Sequence, residues 1–215
     1  MQLLRKLING ITDESIARRI GWMYAAFFGI LFPTLIASYF LLPEGILRGK
    51  HPLISQLELA PTLLTSTLQI FCYNLAPILL IIAANLIAQK SKIVPEKFVP
   101  LGYSAFWMIT LIFALYTGTW SFEVVTAAPP LHERLLRMFN LTQRSGLLEL
   151  SAYLLAAAAS FKATLWFSDG KQIVRSLKPR ELHLSRAEIG VLVFAIVLLF
   201  CAALIEARSI LQLSL

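Results

Sequence analysis

The amino-acid sequence predicts an all-α fold, a polytopic transmembrane helical bundle with about five spans plus short interfacial amphipathic helices. Three observations carry this. Of the 215 residues, 58% are hydrophobic and 14% charged, with a mean hydropathy of +0.73, whereas a soluble domain is roughly half apolar and about a quarter charged. The apolar residues fall into five runs of bilayer length, since about twenty helical residues cross a hydrocarbon core. The net charge of +7 lies in short segments between those runs, where membrane orientation places basic residues. Nucleic acid is therefore not expected as a partner, and the lipid bilayer is.

The chain opens with an amphipathic stretch, residues 1–19. Leu3, Leu4, Leu7, Ile8 and Ile11 recur at helical spacing around Arg5 and Lys6, which predicts a helix lying on the membrane surface. A cleavable signal is not expected, because the apolar run that follows is too long and lacks a small-x-small end. Gly10 and the run Thr12–Ser15 break and restart the helix, with Thr12 or Asp13 as N-cap. The remainder, residues 20–215, is a single transmembrane domain.

Its first span is Ile20–Leu42, which Pro33 can kink. A loop rich in Pro and Gly follows, through Pro43, Gly45, Gly49, Pro52 and Pro61. The second span, Thr62–Ala88, is unusually polar, and its Asn74 and Asn85 are eleven residues apart on one helical face. Interhelical hydrogen bonding accounts for both amides. Lys90, Lys92, Pro95 and Lys97 form a basic turn, and the aromatic-rich third span is Val99–Ser121. In the next loop Pro129-Pro130 precedes LHERLLRMFNLT, a short surface helix with Leu131, Leu135, Met138 and Phe139 on one face. His132 and Glu133 are adjacent there and so point about 100° apart, which argues against an acid-base pair.

The fourth span, Gly146–Phe167, contains Ala152, Ala156 and Ser160 at spacing four, the pattern that lets two helices approach closely. Glu149 lies on that same stripe, and a carboxylate there must face protein or water. Lys162, near the other end, can extend its ammonium to the interface. Ser185-Arg186-Ala187-Glu188 is a capping-box signature opening the fifth span, Glu188–Ile210. Glu206 shares a face there with Ala195, Leu199 and Ala202. Cys72 and Cys201 fall inside apolar runs and read as small core residues. No spacing suggests a metal site or a cofactor, and the catalytic motifs GxSxG, HExxH and the Gly-rich phosphate loop are absent from the sequence.

Orientation follows from the basic residues. With the N-terminus in the cytoplasm, twelve face inward: Arg5, Lys6, Arg18, Arg19, Lys90, Lys92, Lys97, Lys171, Arg175, Lys178, Arg180 and Arg186. Six face outward: Arg48, Lys50, Arg134, Arg137, Arg144 and Arg208. The imbalance predicts a cytoplasmic N-terminus and an outer C-terminus. The same topology puts Glu149 and Glu206 at one level near the outer surface, on two small-residue faces that would pack together. With Asn74 they form the candidate intramembrane polar cluster, either a structural network with Arg134, Arg137 or Arg144, or a proton or cation site.

Three short motifs stand in a familiar order. Phe71-Cys72-Tyr73-Asn74 opens the middle of span two, Ser145-Gly146-Leu147-Leu148-Glu149 opens span four, and Ala202-Ala203-Leu204-Ile205-Glu206-Ala207 closes span five. In this order the chain resembles the stage II sporulation protein M family of five-span bacterial and archaeal membrane proteins. That family carries "F..N", "HG..E" and "A..IE" at these places. Ser145 stands where the family has histidine, and Thr117-Gly118 where it tends to carry Asn-Gly. The resemblance implies a multi-pass protein of the prokaryotic cytoplasmic membrane without established enzymatic chemistry. It also implies partners that are other membrane proteins, or copies of the chain itself.

Two functional classes follow. One is a non-enzymatic scaffold or partner subunit of a membrane complex. The other is a small-solute or ion channel or transporter that uses the intramembrane carboxylates. The absence of an internal repeat in the sequence and the odd number of spans argue against a duplicated carrier.

Overall fold

The computed structural model describes residues 1–49, 62–122, 127–140 and 145–213. Lys50, Pro52, Pro61 and Arg144 lie outside the described residues. Among those described, seven helices follow one another: α1 (Gln2–Ile11), α2 (Ile16–Leu41), α3 (Leu63–Asn85), α4 (Leu101–Gly118), α5 (Leu131–Met138), α6 (Gly146–Ala159) and α7 (Arg186–Leu213). Five of them, α2, α3, α4, α6 with its 3-10 extension to Ala163, and α7, are long and apolar enough to cross a membrane.

α6 is the central helix. It packs against α2, α3, α4 and α7, and 61% of its apolar window is buried, against 22–39% for the other four. The cause is its side-chain size. Leu154 and the run Ala156–Ala159 are buried on every side, and methyl groups let four neighbours approach at once. Elsewhere the bundle closes on single glycines. A Cβ on Gly118 would strike Ser38 Oγ and the Leu35 carbonyl, so α2 and α4 touch there backbone to side chain. Pro33 and Pro77 sit inside α2 and α3 without ending either helix, as helices long and apolar enough to cross a membrane tolerate.

The all-α expectation needs correction, because a four-stranded sheet of order β2-β1-β3-β4 caps one end of the bundle. β1 (Ile87–Lys90) and β2 (Phe98–Pro100) are an antiparallel hairpin between α3 and α4. β3 (Trp166–Ser168) and β4 (Ile173–Ser176) are another between α6 and α7. The hairpins join through a parallel β1–β3 pair, with Ile87 opposite Trp166 and Ala88 opposite Phe167. β1 follows the end of α3, and β3 follows the 3-10 turn that extends α6 to Ala163. The junction is sealed by the Leu86 carbonyl, which accepts from the backbone N–H groups of Leu165 and Trp166. The expected spans Thr62–Ala88 and Gly146–Phe167 therefore stop short, since their last apolar residues are strand rather than helix.

Two smaller expectations also change. Cys72 and Cys201 are exposed rather than in the core. Ser15, not Thr12 or Asp13, occupies the N-cap position of α2, while Asp13 Oδ1 accepts from the Ser15 N–H at 2.8 Å. The short helix after Pro130 is present as α5, with Leu131, Leu135 and Met138 packed on the core and Phe139 turned out.

Candidate functional site

Polar side chains gather at both ends of the bundle. At the sheet end, Arg19 of α2 is completely buried. Its Nε donates to the Ala158 carbonyl at 2.9 Å, its Nη1 to the Asp13 carbonyl at 2.8 Å, and its Nη2 to Glu188 Oε1 at 2.7 Å. The guanidinium also lies 4.6 Å from the centre of the Phe161 ring. Glu188 completes the capping box of α7, accepting from the Ser185 N–H at 2.8 Å while the Glu188 N–H donates to Ser185 Oγ at 3.2 Å. One carboxylate thus caps a helix with one oxygen and neutralises a buried arginine with the other. Lys162 joins this site, with Nζ 3.2 Å from Glu14 and 3.6 Å from Glu188.

Asn85 lies one step away. It is fully buried, and its Nδ2 donates to the Ala157 carbonyl at 3.0 Å and to Ser160 Oγ at 2.7 Å. Together Arg19 and Asn85 reach the carbonyls of the last turn of α6, where a helix runs out of its own donors. The positive guanidinium also suits the negative end of the helix dipole. Gly102 of α4 packs directly over Asn85, since a Cβ there would strike Asn85 Oδ1 and the Ile81 carbonyl. Tyr103 Oη donates to the Ile11 carbonyl at 3.0 Å and so fixes the end of α1.

At the opposite end, Glu149 of α6 and Glu206 of α7 are electrostatic neighbours and share Ser145, whose Oγ donates to Glu206 Oε2 at 3.2 Å. Glu149 Oε1 is enclosed without a hydrogen-bond partner. The stripes around the pair, Ala152, Ala156, Ser160, Ala195 and Ala202, are all buried, and α6 packs on α7. Asn74 is half-buried, and no hydrogen bond among the described residues links it to either carboxylate. Of the arginines expected as their partners, Arg144 lies outside the described residues, and Arg134 and Arg137 are engaged elsewhere. Arg134 is buried and bonds to Glu44 and to the carbonyls of Pro129 and Gly118, with Tyr39 and Trp120 rings against its guanidinium. Arg137 pairs with Glu133 at 3.1 Å, and His132 is exposed.

The sequence gives no sign that Arg19 is buried, and it offers Arg134 as a partner for Glu149 and Glu206 where the structure pairs it with Glu44. An arginine at a span end or in a loop carries no periodic signal of burial. The capping box at Ser185 was the one visible pointer, since it placed Glu188 at the mouth of the bundle. Among the described residues no three His, Cys, Asp or Glu side chains converge as metal ligands would. No protein family, curated protein or solved structure matches this chain.

Proposed function

We propose that the protein is a non-enzymatic scaffold or partner subunit of a membrane complex, multi-pass in a prokaryotic cytoplasmic membrane. In this reading the sheet end faces the cytoplasm. The observation that carries it is how the buried polar groups are used. Arg19, Asn85, Glu188 and Arg134 each bridge separate segments of the chain, so they tie the fold into one rigid piece rather than lining a path. The order of short motifs shared with stage II sporulation protein M-like proteins supports the same reading.

α2 adds a surface suited to a partner helix. Gly21, Ala25, Gly29, Pro33 and Ala37 recur at spacing four on its exposed side, and the space over Gly21 and Gly29 is open. Small residues at this spacing allow close helix approach in a bilayer. Purification in mild detergent from native membranes tests the proposal, comparing the wild type with a Gly21→Leu/Gly29→Leu variant. Co-purifying chains, or additional copies, should be lost from the variant while its melting temperature stays the same. An unchanged assembly in the variant would remove α2 as the contact. A wild type that purifies alone as a monomer would remove the proposal.

A second reading rests on one observation, the enclosed and unpartnered Glu149 Oε1 beside Glu206. Two carboxylates so placed can hold a cation or a proton between them, as in a permeation site. Flux in liposomes separates the readings.

A further inference from the structure

A cavity of about 230 Å³ opens at the sheet end between α1 and the turn joining β1 to β2, lined by Arg5, Asn9, Ile93, Val94, Pro95 and Glu96. That is smaller than the ~300–1,000 Å³ of sites for drug-sized ligands. Its chemistry is amphoteric. A guanidinium and a carboxylate line one cavity without forming an ion pair with each other, and the side chains of Arg5, Asn9 and Glu96 have no hydrogen-bond or ion-pair partner among the described residues. Opposite charges held apart in one cavity fit a ligand that carries both.

The position indicates where such a ligand comes from. Gly10 is pressed against the Trp22 indole, and Ile11 is held by Tyr103. Trp22 and Tyr103 lie in the first two turns of α2 and α4, so α1 sits at the level where two spans begin. Met1, Leu3 and Leu4 are exposed on it, apolar side chains at the depth where acyl chains meet headgroups.

We propose that this cavity seats the headgroup of a zwitterionic phospholipid from the leaflet at the sheet end. Arg5 takes the phosphate, for which its planar fork of donors is suited. Glu96 takes the ammonium, Asn9 can donate to a phosphate oxygen, and the acyl chains run past Met1 and Leu4, the exposed apolar residues next to the Arg5 face. A purely anionic headgroup meets repulsion from Glu96, so the cavity selects by charge pattern and not by net charge.

The test uses the full chain, delipidated in a neutral detergent, with lipid binding read by native mass spectrometry. The probes are phosphatidylethanolamine, phosphatidylglycerol and acyl-free glycerophosphoethanolamine. Phosphatidylethanolamine should bind about tenfold tighter than phosphatidylglycerol, the scale of one charge-assisted contact. Arg5→Gln should weaken it by a similar factor, and Glu96→Gln should erase the preference between the two lipids. Both side chains are at the surface, so the variants keep the wild-type melting temperature. Equal binding of the two lipids by the wild type would overturn the proposal, as would a preference that survives Glu96→Gln. Acyl-free headgroup binding as tightly as the lipid would also overturn it, by making the ligand a soluble zwitterion.

Discussion

Arg19 connects more of this fold than any apolar residue near it, because its donors reach the α1–α2 link, the end of α6 and the start of α7 at once. A buried ion pair is not in itself a large net gain, but breaking one strands its partner at a cost of about 3–5 kcal/mol. Arg19→Ala should therefore destabilise the protein by about that amount, with Glu188→Gln milder because the amide keeps an acceptor for Arg19. Thermal unfolding in detergent measures both. Asp169, in the β3–β4 turn, offers a pH test. Its carboxylate accepts the backbone N–H groups of Lys171 and Gln172, which hold its pKa below the ordinary 3.8. Because folding lowers this pKa, the added stability is complete above pH 3.8 and is lost as pH falls through the lower folded value. The protection of the Lys171 and Gln172 amides, taken relative to their intrinsic exchange rates, should fall over that acid range and stay constant above it. At this scale the sequence was informative where a residue belongs to a local pattern, as Glu188 does in its capping box. It gives no partner for Arg19 and the wrong one for Arg134, because the true partners, Glu188 and Glu44, are 169 and 90 residues away in the chain.

Helices were legible because each repeats an apolar signal over many residues. The sheet was not, because its strands are three or four residues long and the apolar residues of β1, β2 and β3 run on from the spans beside them. What makes them strands is tertiary: α3 and α6 deliver their ends side by side, and the Leu86 carbonyl locks the two emerging segments together. The cysteines erred for a related reason, since an apolar run predicts membrane burial without saying whether lipid or protein covers a position. α6 and α7 pack together, with Ala156 and Ala202 fully buried. Replacing either by Leu should overpack the contact and destabilise the protein by about 1–3 kcal/mol. If both variants melt at the wild-type temperature in detergent, the contact between these helices is softer than the packing implies.

The whole molecule has two unlike ends. The sheet end gathers Lys90, Lys92, Lys97, Lys171, Arg175, Lys178 and Arg180 around the two hairpins and their flanks, and the proposed orientation, which follows the positive-inside rule, turns this end to the cytoplasm. In a background lacking Cys72 and Cys201, Lys92→Cys and Lys178→Cys should resist a membrane-impermeant thiol reagent in intact cells, and Arg137→Cys should react. Labelling of either lysine position from outside would reverse the orientation. The central claim is that the intramembrane carboxylates serve packing and not passage. Its most direct test is cation and proton flux through liposomes containing the purified protein, measured for the wild type and Glu149→Gln alongside their melting temperatures. The structural account predicts no flux above empty liposomes for either protein. It also predicts a melting temperature no lower than wild type for Glu149→Gln, which keeps the side chain's volume and ends the like-charge contact with Glu206, and a lower one for Glu149→Ala, which leaves a cavity. Flux in the wild type that disappears in a fully stable Glu149→Gln protein would contradict it.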